Sequence, residues 1–250
     1  MNELTGQTAL VTGASRGVGR GVALVLAEKG ADVVVNHLSS EAEAEPVCEA
    51  IRDMGRRALP VRADVSREED VARLFETIRA EFNGLDILVN NAGTTQAKDI
   101  FEISLDDWDY VLRTNLTSVF LCSKYAMEMM KEQQAGRIVN ISSIVGERGA
   151  LYGHVHYAAT KSGMFGVTKT LAQTGAPLGI TVNCVAPGII DTELLRNTHG
   201  AEDVEKLASQ VPLGLGTPRD VGLSVAFLCG EGGRYINGTT IDVNGGWYLR

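Results

Sequence analysis

Between Asn140 and Lys161 the chain gathers side chains suited to acid–base chemistry: Ser142, Ser143, Tyr157 and Lys161. Tyr157 and Lys161 are four apart, so on a helix they lie one turn apart on the same face. A phenol with an isolated pKa near about 10 then stands beside an ammonium. A positive charge within roughly 4–6 Å favours the phenolate, so the expectation is a Tyr157 pKa drawn toward neutrality. Such a phenol exchanges a proton with an alcohol or carbonyl oxygen. The serines offer hydroxyls that hydrogen-bond the same oxygen. With six tyrosines in 250 residues a lone Tyr-x-x-x-Lys is a weak motif. It gains weight only if the chain also builds a cofactor site facing it.

The elements that must hold this pair are a strand over residues 137–141 and a helix over 155–174. Before them, strands are expected at 7–12, 31–35, 58–63 and 85–89. They alternate with helices at 17–29, 41–54, 68–82 and a long one from 105 to about 131. After them come a strand at 181–185, an irregular stretch through 213, a helix at 218–229 and a last strand at 239–243. The strands are near-continuous apolar runs, as expected where both faces of a parallel sheet are covered. The pattern predicts an α/β fold: a single doubly wound Rossmann-type domain over residues 1–250, with a seven-stranded parallel sheet flanked by helices and a small substrate-loop insert at about 189–213. Ligands gather at the carboxyl ends of such strands.

The first loop, Thr12-Gly-Ala-Ser-Arg-Gly-Val-Gly19, leaves a strand and enters a helix. Gly13, Gly17 and Gly19 let the backbone turn sharply and approach a pyrophosphate, whose charge is met by the helix N-terminus. Ser15, Arg16 and Val18 complete this cofactor-binding loop.

A formal charge of −8 argues against a basic face for nucleic acid or an anionic membrane, and suits a small-molecule enzyme. No apolar run reaches the roughly 18–20 residues of a membrane span, and the first residues lack the blocks of a signal peptide, so a soluble cytoplasmic protein is expected. Cys48, Cys122, Cys184 and Cys229 are widely spaced, which points to buried free thiols and to no metal site. His154 and His156 read as pocket lining or solvated side chains rather than ligands.

Taken together, these motifs resemble the short-chain dehydrogenase/reductases over nearly the whole chain, in particular their 3-oxoacyl-carrier-protein reductase-like branch. The first loop is similar to that family's Thr-Gly-x-x-x-Gly-x-Gly, and Asn90-Asn-Ala-Gly93 to its Asn-Asn-Ala-Gly element. The resemblance implies a catalytic tetrad of Asn115, Ser143, Tyr157 and Lys161. It places Asn91, Ala92 and Gly93 against the cofactor, with Pro187, Gly188, Ile190 and Thr192 in the segment that closes over the nicotinamide. Tyr157 would give its proton to a carbonyl oxygen held by Ser143. Lys161 would hold the nicotinamide ribose, and Asn115 a water linking Lys161 to solvent. One departure stands out: Ser143 and Tyr157 are fourteen positions apart, where the family usually has thirteen. The implied activity is an NADP(H)-dependent exchange between a ketone and a secondary alcohol. The alternatives are 3-oxoacyl-[acyl-carrier-protein] reduction, a non-catalytic NADP sensor, and a nucleotide-sugar epimerase.

NADP(H) is expected over NAD(H). A carboxylate about 20 residues past the glycine loop usually holds a free ribose 2′-hydroxyl, and Asn36 stands there instead. Arg16 supplies a positive charge, His37, Ser39 and Ser40 possible donors, and Asp64, followed by Val65, a partner for the adenine amino group. By this reading Asn36→Asp shifts preference toward NADH. A homotetramer is expected from the resemblance, aided by Gly163, Met164, Gly166, Val167 and Thr170 as a close-packing helix face. A free small-molecule carbonyl is preferred over a carrier-bound one. The carrier-protein reductases that this chain resembles have arginines where Gln134 and Leu178 stand, and an acidic carrier needs basic residues near the pocket mouth.

Overall fold

The computed structural model describes residues 3–38, 41–150, 153–198 and 201–249. Seven parallel strands form one sheet in the order β3-β2-β1-β4-β5-β6-β7. They are β1 (Thr8–Val11), β2 (Asp32–His37), β3 (Ala58–Arg62), β4 (Ile87–Asn90), β5 (Gly136–Ile141), β6 (Ile180–Pro187) and β7 (Thr240–Val243). Helices α1 (Gly17–Glu28), α2 (Glu41–Asp53), α3 (Glu68–Phe82), α4 (Leu105–Leu112), α5 (Ser118–Gln133), α6 (Val145–Arg148), α7 (Val155–Gly175), α8 (Glu193–Thr198), α9 (Ala201–Ser209) and α10 (Pro218–Cys229) connect them.

Side-chain alternation along β1 sends Ala9 and Val11 to one face and Leu10 to the other. The first pair joins Val22 and Leu26 of α1, Val47 and Ile51 of α2, and Val221 and Val225 of α10. Leu10 joins Leu74 and Ile78 of α3, Cys122 and Met130 of α5, and Ala172 of α7. Two apolar layers therefore sandwich the sheet, and truncating a buried leucine such as Leu10 to alanine costs about 2–5 kcal/mol. The strand order reverses between β1 and β4, opening the crevice at their carboxyl ends where such folds bind ligands.

Four local features differ from the expectation. Strand β2 runs on through His37, two residues further than its apolar run, with Asn36 paired to Val61 and His37 to Arg62 of β3. The long helix is interrupted by a π-helical turn, Arg113–Thr117, between α4 and α5. The stretch expected to be irregular holds α8 and α9, the latter opening on Glu202 and Asp203, whose charges suit the helix N-terminus. A single helical turn, α6, follows β5 directly. All four cysteines are free and buried. Ser39 and Ser40 lie outside the described residues.

Candidate active site

The glycine loop is shaped by contacts that leave no room for side chains. Gly13 (φ +62°) and Gly17 (φ +56°) occupy the left-handed region, which glycine enters without steric cost. A Cβ on Gly13 would stand 3.0 Å from Ala92 Cα, and one on Gly19 would run into the Gly13 carbonyl and the Asn91 amide. Arg16 is exposed at the start of α1, and with Ser15, Gly17, Arg20 and Thr192 it lines a groove of about 670 Å³. Val18 is half-buried against the core. A cradle that only glycine fits, opening on a helix N-terminus with two arginines beside it, suits the pyrophosphate and phosphate groups of a dinucleotide.

Asn36 serves this loop from beneath. Its Oδ1 accepts the Gly13 N–H at 3.2 Å, and its Nδ2 donates to the carbonyls of Val61 and Ala63 at 3.3 and 3.1 Å. At 2% exposure it is a buried strut. The longer β2 carries Asn36 into the sheet, and His37 is buried there too. Asp64 accepts from the Ser66 N–H and hydroxyl at 3.0 and 2.7 Å, and Val65 is buried.

A line of hydrogen bonds joins the loop to the helix carrying Tyr157. Asn91 Nδ2 donates to the carbonyls of Thr12 and Gly13 at 2.9 and 3.1 Å, and the Ala92 N–H donates to Thr12 Oγ1 at 2.9 Å. Gly93 lies against Asn115. Asn115 Oδ1 accepts the Thr94 N–H at 2.7 Å, and its Nδ2 donates to the Thr94 carbonyl at 2.8 Å and to Thr160 Oγ1 at 3.2 Å. Thr160 in turn donates to the Tyr157 carbonyl at 2.7 Å. The Asn115 amide is fully buried and engaged by Thr94 and Thr160. Sitting in the π-helical turn, it braces the loop after β4 against α7.

Ser143, Tyr157 and Lys161 come together at the carboxyl end of β5. Burial raises the Tyr157 pKa above its ordinary value, and the nearby Ser143 hydroxyl opposes this as the smaller influence. Lys161 Nζ donates to the Ile141 carbonyl at 2.8 Å and stands 5.6 Å from the centre of the Tyr157 ring. Burial lowers its pKa to about 8, with a small opposing influence from Cys184. The expected downward pull of Lys161 on Tyr157 is therefore corrected: the phenol of the protein alone is shifted upward, since both groups are enclosed and the ammonium is engaged with a carbonyl. Ser142 donates to the Lys161 carbonyl at 2.7 Å, so its hydroxyl ties β5 to α7, while that of Ser143 accepts the Val145 N–H at 3.1 Å and is the one that influences the phenol.

The segment after β6 lies close by. The Pro187 carbonyl accepts the Ile144 N–H at 2.9 Å, and a Cβ on Gly188 would stand 2.8 Å from Asn244 Cα. Thr192 approaches Gly17, whereas the Ile190 side chain turns into the core and packs near Gly216. Sequence reasoning missed Thr160 and the buried network beneath the site. In that network Asn90 donates to Asn140 at 2.8 Å and to Ser123 at 3.1 Å, and Asn140 donates to Thr168 at 2.9 Å. Polar residues at the ends of β4 and β5, where apolar ones were free to continue, were the available signal.

Gln134 and Leu178 do not sit at the pocket mouth of this chain. They precede β5 and β6, while Ser143 and Gly188 follow them. One strand length, about 20 Å, separates the two ends. On α7, Met164 is fully buried, Gly163 is half-buried against Leu116 and Val167 is half-buried, so Gly166 and Thr170 are the exposed residues of the expected helix face.

Comparison with known proteins agrees with this geometry. A family model described as enoyl-(acyl carrier protein) reductase matches residues 13–248. The 3-oxoacyl-[acyl-carrier-protein] reductase FabG of Staphylococcus aureus is 42% identical over 244 residues, covering 97% of this chain and 98% of that one. Among solved structures, a putative short-chain alcohol dehydrogenase from Sinorhizobium meliloti is 36% identical with a TM-score of 0.93, covering 98% of each chain. A short chain dehydrogenase from Burkholderia cenocepacia in complex with NADP is 37% identical with a TM-score of 0.91, covering 98% of this chain and 99% of that one. With the glycine loop, the Asn-Asn-Ala-Gly turn and the serine–tyrosine–lysine cluster assembled on one sheet edge, the chain belongs to the short-chain dehydrogenase/reductase family of nicotinamide-dependent oxidoreductases.

Proposed function

We propose that this protein is an NADP(H)-dependent reductase that interconverts a ketone and a secondary alcohol. The observation that carries the reading is the convergence of Ser143, Tyr157 and Lys161 at one strand end, with the buried Lys161 ammonium 5.6 Å from the centre of the Tyr157 ring. When bound, the cofactor supplies the hydride. Tyr157, held protonated by burial, gives its proton to the carbonyl oxygen, and the Ser143 hydroxyl positions that oxygen. Lys161 provides a cation 5.6 Å from the ring centre that stabilises the phenolate left behind. Asn115 and Thr160 set the distance between the glycine loop and α7. Arg16, exposed beside the loop, is the residue suited to a 2′-phosphate. The named complex with NADP of the Burkholderia relative supports the same cofactor.

A second reading, favoured by the FabG relative, is that the ketone is a 3-oxoacyl thioester on an acyl carrier protein. Against a carrier dock stands the net charge of −8, which weakens long-range attraction to an acidic partner; Gln134 and Leu178, at the far ends of β5 and β6, do not bear on it. Reduction of acetoacetyl groups on carrier protein and on a small thioester, at low and high salt, separates the two. A carrier rate far above the small-thioester rate, falling steeply with salt, favours the carrier. NADPH oxidation by no ketone in a broad panel of ketoesters, thioesters, quinones, sugars and steroids would overturn both.

A cytoplasmic homotetramer belongs to the same proposal. Four buried free thiols suit a reducing compartment. Half-exposed Tyr110 and Phe120, on α4 and α5, with Gly166 and Thr170 on α7, offer surface for a second copy. Light scattering that gives 26.7 kDa at micromolar concentration would refute the assembly.

A further inference from the structure

The turn that follows the catalytic serine ends in a cation with an unusual setting. Arg148 closes α6, its N–H donating to the Ile144 carbonyl at 3.1 Å, and Gly149 (φ +79°) then turns the chain away. The side chain is half-buried, and its guanidinium carbon lies 3.9 Å above the Trp247 ring. Among the described residues it forms no ion pair, and its Nε is buried without a hydrogen-bond partner. A donor withdrawn from water with no acceptor is costly, and a charged one more so. A fold keeps such a group at a functional site when something else supplies the acceptor.

Both walls around Arg148 belong to the substrate end of the molecule. Turn α6 begins where the Val145 N–H donates to Ser143 Oγ at 3.1 Å, and it presses on α7 so closely that a Cβ on Gly146 would stand 2.7 Å from the Lys161 carbonyl carbon. Trp247 follows Asn244, which packs under Gly188, and Gly245, whose carbonyl accepts the Leu213 N–H at 3.1 Å. Both ends of the segment 188–213 are thus joined to the strip that carries Trp247. Stacking on the indole fixes the guanidinium plane, and the N–H bonds lie in that plane, where planar oxyanions bind in pairs. Arg148 also lies in the interval between Ser143 and Tyr157, which is one residue longer than the family usually has.

We propose that Arg148, held by Trp247, binds an anionic oxygen group carried by the ketone substrate, so that the enzyme selects oxo acids or phosphate-bearing oxo compounds over neutral ketones. The inference rests on the carbonyl-reductase reading and refines it. The test compares matched pairs with NADPH: acetoacetate against ethyl acetoacetate, and acetoacetyl-coenzyme A against acetoacetyl-N-acetylcysteamine. Arg148→Leu is expected to raise KM for the anionic member of at least one pair about tenfold to a hundredfold, the effect of losing a charge-assisted hydrogen bond. KM for the neutral member should stay within about twofold of wild type, as kcat should for both. An effect in the first pair assigns a carboxylate on the ketone itself, and one in the second a phosphate on its carrier group. Arg148→Lys, which keeps the charge but not the planar fork, should recover only part of the loss. If Arg148→Leu fails to show a wild-type melting transition, Trp247→Leu takes its place in the same comparison. Equal effects on charged and neutral members, or none, overturn the proposal while leaving the reductase reading intact. A wild-type protein that reduces none of the four but turns over another ketone of the broad panel overturns this inference alone, and one that turns over none of that panel rejects the reductase reading and this inference with it.

Discussion

The side-chain oxygen of Asn36 accepts the backbone N–H of Gly13 at 3.2 Å, joining β2 to the glycine loop across 23 positions of sequence. The same amide donates to two carbonyls at the end of β3. Asn36→Asp would set a carboxylate against those two carbonyl oxygens and remove both donations. The expected outcome is a loss of stability of about 1–3 kcal/mol and weaker binding of NADPH and NADH alike. Urea denaturation with cofactor titrations checks it; a selective gain for NADH at unchanged stability would mean that Asn36 faces the ribose after all.

Arg16 is the better handle on cofactor choice, since it is exposed and lines the groove beside the glycine loop. Arg16→Gln should raise the KM for NADPH by about tenfold or more and change that for NADH little, as expected when one charge-assisted contact to a 2′-phosphate is removed. Specificity constants for the two cofactors measured side by side decide it. A parallel change in both would place Arg16 on the pyrophosphate they share.

Tyr157→Phe should lower kcat by about 10²–10⁴-fold, because the ring still packs and only the transferable proton is gone. Cofactor affinity should be nearly unchanged. Lys161→Ala should damage both turnover and cofactor binding. A phenylalanine variant that keeps more than about a tenth of the wild-type rate removes Tyr157 from the role of acid.

Burial lowers the Lys161 pKa to about 8. Between that value and the unfolded one near about 10.4 the unfolded chain holds more protons, so this group makes stability rise with pH across the window, and the gain is lost as pH falls back through about 8. The cysteines act in the opposite sense, because burial raises Cys48 to about 11 and Cys122, Cys184 and Cys229 to about 12. The lysine contribution is therefore read as the difference between wild type and Lys161→Met. From pH 7.5 to 10 that difference should move by roughly 2–3 kcal/mol in favour of the wild type. Parallel stability curves would show that the lysine is not desolvated.

Gly19→Ala tests the cradle. The new methyl group meets the Gly13 carbonyl and the Asn91 amide, so the loop must shift, at a cost of about 1–3 kcal/mol. Affinity for both cofactors should fall together while the tyrosine chemistry on bound cofactor is preserved. Calorimetric titration showing wild-type affinity would mean that the loop yields without cost.

Much of this molecule follows from local pattern. Apolar runs long enough to be buried on both faces specify a parallel sheet, and glycines at 13, 17 and 19 specify a backbone that bends where no side chain fits. The i, i+4 spacing of Tyr157 and Lys161 places them on one helix face whatever surrounds them. Such features depend on residues close in sequence, or on the simple demand that apolar surface be covered. The direction of the pKa shifts depends on enclosure, which only packing creates: the same pair reads as an activated phenol on an open helix and as a raised phenol beside a lysine of lowered pKa when buried. Nothing near Asn36 or Asn115 in sequence shows that partners 21 to 27 positions away, and Thr160 at 45, engage their amides as struts. Ser142 and Ser143 are neighbours with equal chemistry, and the turn after β5 sends the first hydroxyl to the Lys161 carbonyl and leaves the second beside the Val145 N–H, where it influences the phenol. Arg148 and Trp247, 99 positions apart, meet only because β5 and β7 end at the same edge of the sheet. Long-range juxtaposition of this kind is set by how strands order themselves, and no window of sequence contains it.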